Sequence, residues 1–95
     1  MSDTLVFAQF KNFELGKEYQ LYLIRDLLGQ LSLVHFHGAQ RKIKLFDDLN
    51  EAWREAQRAS KVRLKNHYQL VVWQAHGMPT PEFIEEALME SAESI

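Results

Sequence analysis

The residues of this chain that could do chemistry are mainly cations, and they are concentrated in its middle. Of the 11 lysines and arginines, eight lie between residues 41 and 65, beside only four of the 13 acidic residues. This segment carries a net charge of +4, whereas the rest of the chain carries −6. Clustered cations bind phosphate backbones by releasing condensed counterions, so the pattern predicts contact with DNA or RNA backbone. The candidate contact residues are Arg41, Lys42, Lys44, Arg54, Arg58, Lys61 and Lys65.

The spacing of the last four cations is helical. Arg54, Arg58, Lys61 and Lys65 are separated by four, three and four residues, which places them in one stripe along a helix. Such a stripe could follow a row of phosphates. The alternative is a solvated helix face on which Glu51 pairs with Arg54 and Glu55 with Arg58, at a spacing of three residues.

Two histidines could add to this chemistry. His35 and His37 are two residues apart, so they share one face of a strand. A metal would need at least a third ligand, which the spacing does not supply, so we expect no metal site and no cofactor. His37 could instead stack on a base or sugar.

Composition excludes several other classes of function. The chain has 95 residues, 46% of them hydrophobic and 25% charged, which is typical of one small globular domain. It has no cysteine, so disulfides and thiolate zinc sites are excluded. No nucleotide-binding, nucleophile or metalloprotease motif is present, so we expect no enzyme activity. No apolar run is long enough to span a bilayer and no basic leader precedes residue 5, so we expect no membrane partner and a cytoplasmic location.

The hydrophobic pattern indicates which elements must position the cations. Strands are expected near residues 4–13 (a strand or an extended arm), 18–26, 31–37, 41–46 and 68–74, with a helix near 48–66 and a second helix after Thr80. Asp48 is expected to cap the long helix, and Asn66 or His67 to end it in a left-handed conformation. This order predicts an α+β fold. We expect an antiparallel sheet of four or five strands, one long helix packed on it and an additional C-terminal amphipathic helix.

Two strands have distinctive patterns. In the strand at 18–26, one face carries Tyr19, Leu21 and Leu23 and the other carries Tyr22 and Ile24, so we expect a central strand that is covered on both faces. The strand at 41–46 alternates basic and apolar residues and is expected to be half exposed, at or near an edge of the sheet.

Part of the chain resembles a known family. Lys17-Glu18-Tyr19-Gln20-Leu21-Tyr22-Leu23 is similar to the first strand of the WGR domain, residues 33–39 lie where its Trp-Gly-Arg signature stands, and residues 46–52 are similar to its helix entry. Tyr68 matches the tyrosine that closes the domain. The resemblance covers residues 17–68, and His37-Gly38-Ala39 occupies the signature position.

WGR domains occur in poly(ADP-ribose) polymerases, where they contact DNA ends, and in bacterial proteins. The resemblance therefore implies a WGR-like α+β domain over residues 1–79 and a non-enzymatic module that binds nucleic-acid backbone without sequence preference. Because the signature Trp and Arg are replaced by His37 and Ala39, the recognition of DNA ends does not transfer.

The segment 80–95 lies outside the resemblance and supports an alternative function. Its amphipathic helix must pack on the same domain or on a partner. In the second case the protein would be an interaction or dimerisation module without nucleic-acid binding. The candidate partner contacts are Trp73, Phe83, Ile84, Leu88 and Ile95.

Overall fold

Seven elements make up the fold. The structure, a computed structural model, describes the backbone of residues 3–93 and the side chains of residues 3–90. The elements are β1 (Asp3–Asn12), β2 (Lys17–Arg25), β3 (Leu31–His37), β4 (Gln40–Phe46), α1 (Leu49–Lys65), β5 (Gln69–Ala75) and α2 (Glu82–Glu93).

The five strands form one antiparallel sheet in the order β4-β3-β2-β1-β5. The predicted α+β architecture, with a long helix and a further C-terminal helix, is confirmed. The strand at 18–26 is central, as predicted, and β4 is an edge strand.

Local hydrogen bonds fix both ends of α1. The Asp48 side chain accepts a hydrogen bond from the backbone N–H of Asn50 at 3.0 Å, which satisfies one of the free donors of the first turn. At the other end His67 has a φ of +67°, and the N–H of Tyr68 donates to the carbonyl of Arg63 at 3.1 Å. The left-handed residue ends the helix and redirects the chain into β5.

Both helices lie on one side of the sheet, and the core lies between them and that side. Alternate residues of β2 point into this core: Tyr19, Leu21 and Leu23 are buried. From α1, Ala52 and Ala56 are buried against them, and small side chains allow the helix to approach the strands closely.

α2 packs beside α1, against β5 of its own chain. Ile84 is fully buried and Ala87 nearly so. The Nζ atom of Lys61 on α1 lies 5.0 Å from the ring centre of Phe83 on α2, in cation–π contact. The described part of the C-terminal helix thus packs on the sheet of its own chain.

The other side of the sheet differs from the prediction. Tyr22 and Ile24 are only half-buried, and neither helix covers them. The expectation that β2 is covered on both faces was therefore wrong. Apolar residues on both faces of a strand show that both faces favour burial, but they do not show that another element packs on each face. The edge strand β4 is exposed on both faces rather than one, with Ile43 and Leu45 open to solvent.

Candidate functional site

The sheet register decides which cations of β4 face the helices. His35 pairs with Lys42, and Leu33 pairs with Lys44. Directly paired residues of an antiparallel sheet point to the same face, so Lys42 and Lys44 lie on the helix side. Arg41 pairs with Phe36 and therefore lies on the opposite face, apart from the other candidate contact residues.

The cations of α1 extend this basic region. Arg54, Arg58 and Lys61 are exposed and line a shallow groove beside Phe46, at the end of β4. Lys65 is exposed one turn beyond Lys61, at the end of the helix. We call the following residues the basic surface: Lys42, Lys44, Arg54, Arg58, Lys61 and Arg63.

A cleft of about 300 Å³ lies within the basic surface, between α1 and the strands β2, β3 and β4. Its walls bring together cationic and aromatic side chains from elements that are distant in the sequence. Its polar lining consists of Tyr19, His35, His37, Gln40, Lys42, Glu55, Arg58 and Arg63.

Arg63 is the most unusual residue of the cleft. Its guanidinium carbon lies 4.4 Å from the ring centre of Tyr19 and 5.5 Å from that of Tyr68, so two aromatic rings hold the cation. Its Nε atom is buried without a hydrogen-bond partner. Within the described part of the chain Arg63 has no ion pair, so its charge is not neutralised.

Arg63 was not among the predicted contact residues, because it lies off the exposed stripe of α1. A signal was nevertheless present. Arg63 follows Ala56 by seven residues and Ser60 by three, which puts it on the buried face of the helix. A charged residue at a buried helix position is uncommon and indicates a specific contact or function.

Among the described side chains of this region, only the carboxylate of Glu55 is paired with a cation. The Nε atom of Arg58 donates to Glu55 at 3.0 Å, and a second, shorter bond joins Nη2 to the other carboxylate oxygen. These bonds, followed by the nearby charges of Arg58 and Lys44, hold the pKa of Glu55 below its usual value despite partial burial. This pair is one of the two that the alternative of a solvated helix face predicted; between the described residues Glu51 and Arg54 the second pair is not formed. The carboxylates that line the grooves of the basic surface, beside its six cations, are Glu51 and Glu55.

The two histidines of β3 share the helix-facing side, as their spacing predicted, and each contacts a tyrosine. The Tyr19 hydroxyl forms a short hydrogen bond with Nδ1 of His35, and Nε2 of His37 lies 3.2 Å from the Tyr68 hydroxyl. No group of three possible metal ligands occurs among the side chains that the structure describes.

Burial sets the protonation of this cluster. It lowers the pKa of His35, an effect that Glu55 opposes and Arg63 reinforces. Burial, together with Arg63, also lowers the pKa of His37. Burial raises the pKa of Tyr19 to about 12. These shifts favour the neutral form of both imidazoles, and an anion in the cleft would favour their protonation.

The candidate partner contacts are largely occupied within the chain. Trp73 is half-buried, 6.1 Å from Trp53 between ring centres, and Ile84 is fully buried. Phe83 is half-buried beneath Lys61, and Leu88 is partly exposed. Ile95 lies outside the described residues.

The acidic residues of α2 that the structure describes form no ion pair with the basic surface. Glu82, Glu85, Glu86 and Glu90 are exposed, and within residues 3–90 none of them forms an ion pair with a lysine or arginine. The cations of α1 remain accessible from solvent.

Comparison with known proteins gives no relative: no family model, curated protein or solved structure matches the chain. Within the described residues no helix is long and apolar enough to cross a bilayer. The geometry of the cleft and of the basic surface is therefore the evidence for the kind of ligand that the site could bind. That geometry presents fixed positive charge and hydrogen-bond donors around an open cleft, which suits an anionic ligand with several charges.

Proposed function

We propose that this domain is a non-enzymatic module that binds the phosphate backbone of nucleic acid through the basic surface. The observation that carries the proposal is the grouping of the six cations of the basic surface around two carboxylates, Glu51 and Glu55, with a single ion pair among these described residues. Cations that are not paired with neighbouring carboxylates are available to bind an external polyanion.

The spacing of the cations fits a backbone ligand. Arg54 and Lys61 are seven residues apart, which is about 10 Å along a helix axis at roughly 1.5 Å per residue. Phosphates of one DNA strand advance by about 3.4 Å along the duplex axis, so this stretch spans roughly three of them. Lys42 and Lys44 add contacts from the sheet, so the ligand would lie across the junction of α1 and β4.

The character of these contacts argues against sequence-specific recognition. Lysine and arginine side chains on an open surface reach phosphates, which carry no base information. His37, at the mouth of the cleft, offers a ring that could stack on a sugar or base. The resemblance of residues 17–68 to WGR domains supports the same class of ligand.

The test compares two neighbouring residues of one strand. Lys42→Glu reverses a charge on the basic surface, whereas Arg41→Glu reverses an equally exposed charge on the opposite face of β4. Binding is measured by fluorescence anisotropy with labelled duplex and single-stranded oligonucleotides at low salt. We expect the unmodified protein to bind with a dissociation constant of about 10⁻⁴–10⁻⁶ M.

Lys42→Glu should weaken binding by about tenfold, because it removes a phosphate contact and adds a repulsive charge, and Arg41→Glu by less than about twofold. Equal effects of the two substitutions would show that the basic surface is not the binding face. Absence of binding by the unmodified protein would refute the proposed function altogether.

A further inference from the structure

The side of the sheet that faces away from the helices carries a cluster of apolar side chains, beside polar ones such as Gln9 and Gln20 of the two central strands. We call it the open face. It is defined by eight apolar side chains that the strand register places together: Phe7, Tyr22, Ile24, Val34, Phe36, Ile43, Leu45 and Val72. An antiparallel sheet with a solvated face usually carries mainly polar residues on that face, so this apolar cluster departs from the usual pattern.

Aromatic rings run across the centre of the open face. The ring centres of Phe7 and Tyr22 are 4.8 Å apart, and those of Tyr22 and Phe36 are 5.7 Å apart. The row continues to the edge strand, where Val34 pairs with Ile43. Clustered aromatic and branched side chains, with few charges at the centre, characterise the cores of protein interfaces.

The charges on the open face lie at its margins. Lys11 and Glu18 form an ion pair of 3.8 Å at one end of β1 and β2, and Arg41 lies on the edge strand. A polyanion would find only Arg41 unpaired there, so nucleic acid does not suit this face. An apolar surface with polar margins suits a protein partner.

We propose that the open face binds the open face of a second copy of this chain, so that the two sheets pack face to face as a homodimer. The available area supports this occupant. Five strands at about 4.8 Å spacing and seven residues at about 3.3 Å give a flat area of roughly 550 Å². Because side chains project from the sheet, the accessible area of the open face is larger than this flat area. It approaches the approximately 800 Å² per partner of a standard interface.

The face-to-face arrangement fits the edge strand better than edge-to-edge pairing. Lys42 and Lys44 lie on the exposed edge strand β4, where like charges of two copies would repel each other. Stacked sheets, about 10 Å apart, keep these lysines away from the contact and bury Ile43 and Leu45. The two basic surfaces then lie on opposite outer sides of the dimer, so dimerisation does not depend on the proposed nucleic-acid binding.

The experiment uses two matched double variants of the full chain. Ile43→Glu with Leu45→Glu introduces two charges on the open face, at side chains that are 53% and 63% exposed. The control, Leu88→Glu with Met89→Glu, introduces the same charges on α2, at side chains that are 37% and 64% exposed. Because these positions are exposed in the monomer, both variants should fold, which circular dichroism verifies.

Sedimentation velocity then gives the mass from about 1 to 300 µM. We expect the unmodified protein and the α2 control to approach twice 11.2 kDa. The open-face variant should remain monomeric, with a dissociation constant raised about 100-fold or more, because glutamates would be buried without partners. A monomeric unmodified protein would overturn the proposal, as would loss of the dimer in the α2 control alone or to the same extent in both variants.

Discussion

At the scale of single residues, Arg63 links the core to the basic surface. Its side chain packs on Tyr19 and Tyr68, yet its charge has no partner among the described residues. A half-buried cation that gains only ring contacts contributes little net stability, since desolvation offsets the attraction. We therefore attribute its presence to binding rather than to folding.

The substitution Arg63→Met tests this attribution, because methionine keeps much of the packing volume and removes the charge. We expect the free energy of unfolding to change by less than about 1 kcal/mol, since the cation–π gain and the unpaired Nε nearly cancel. Oligonucleotide affinity should fall about fivefold or more. Urea denaturation and anisotropy measure the two effects; a stability loss above about 2 kcal/mol with unchanged affinity would make Arg63 a structural residue.

His35 gives a prediction for the pH dependence of stability. Because burial lowers its pKa below the ordinary value of 6.5, the unfolded chain takes up the proton first as the pH falls. The free energy of unfolding is therefore highest above pH 6.5, the ordinary pKa of the unfolded chain, and it declines as the pH falls from there toward the lower pKa of the folded protein. His35→Gln should reduce this decline, and His76→Gln, at an exposed position after β5, is the matched control substitution.

Urea denaturation of the three proteins at about pH 7.5 and 5.5 measures the effect. If the unmodified protein is equally stable at both pH values, burial does not control the protonation of this histidine.

At the scale of elements, the sequence predicted the strands and the long helix well, because their hydrophobic periods are clear. The helix expected near 48–66 spans Leu49–Lys65, and the strand expected at 31–37 has those same bounds. The cover of β2 could not be predicted in the same way. Tyr22 and Ile24 are hydrophobic and favour burial, which the sequence shows. Whether a helix of the same chain packs on them depends on the topology of the fold, which the sequence pattern does not show.

The cap of α1 provides a matched test of local stability. Asp48→Ala removes the acceptor for the Asn50 N–H and should lower the free energy of unfolding by about 1 kcal/mol. Asp47→Ala, at the neighbouring residue, removes the same charge without removing the cap and should have less than half that effect. Urea denaturation distinguishes them, and equal losses would assign the effect to charge rather than to capping.

At the scale of the whole molecule, the two sides of the sheet are chemically distinct. The helix side carries the basic surface and the opposite side carries the open face, so an anionic ligand and a second subunit would bind without competing. The candidate site was predictable where helical spacing or strand alternation fixed a side, as for Arg58, Lys61 and Lys42. The roles of Tyr19 and Tyr68 were not, because their convergence on Arg63 depends on how α1 crosses the sheet.

The salt dependence of binding tests the central claim most directly. If four to six cations of the basic surface contact phosphates, the logarithm of the association constant for duplex DNA should fall linearly with the logarithm of salt concentration, with a slope of about −4 to −5. Anisotropy titrations from about 20 to 200 mM salt would give that slope. A slope near zero, or no binding at the lowest salt concentration, would contradict the assignment of the basic surface to nucleic-acid backbone.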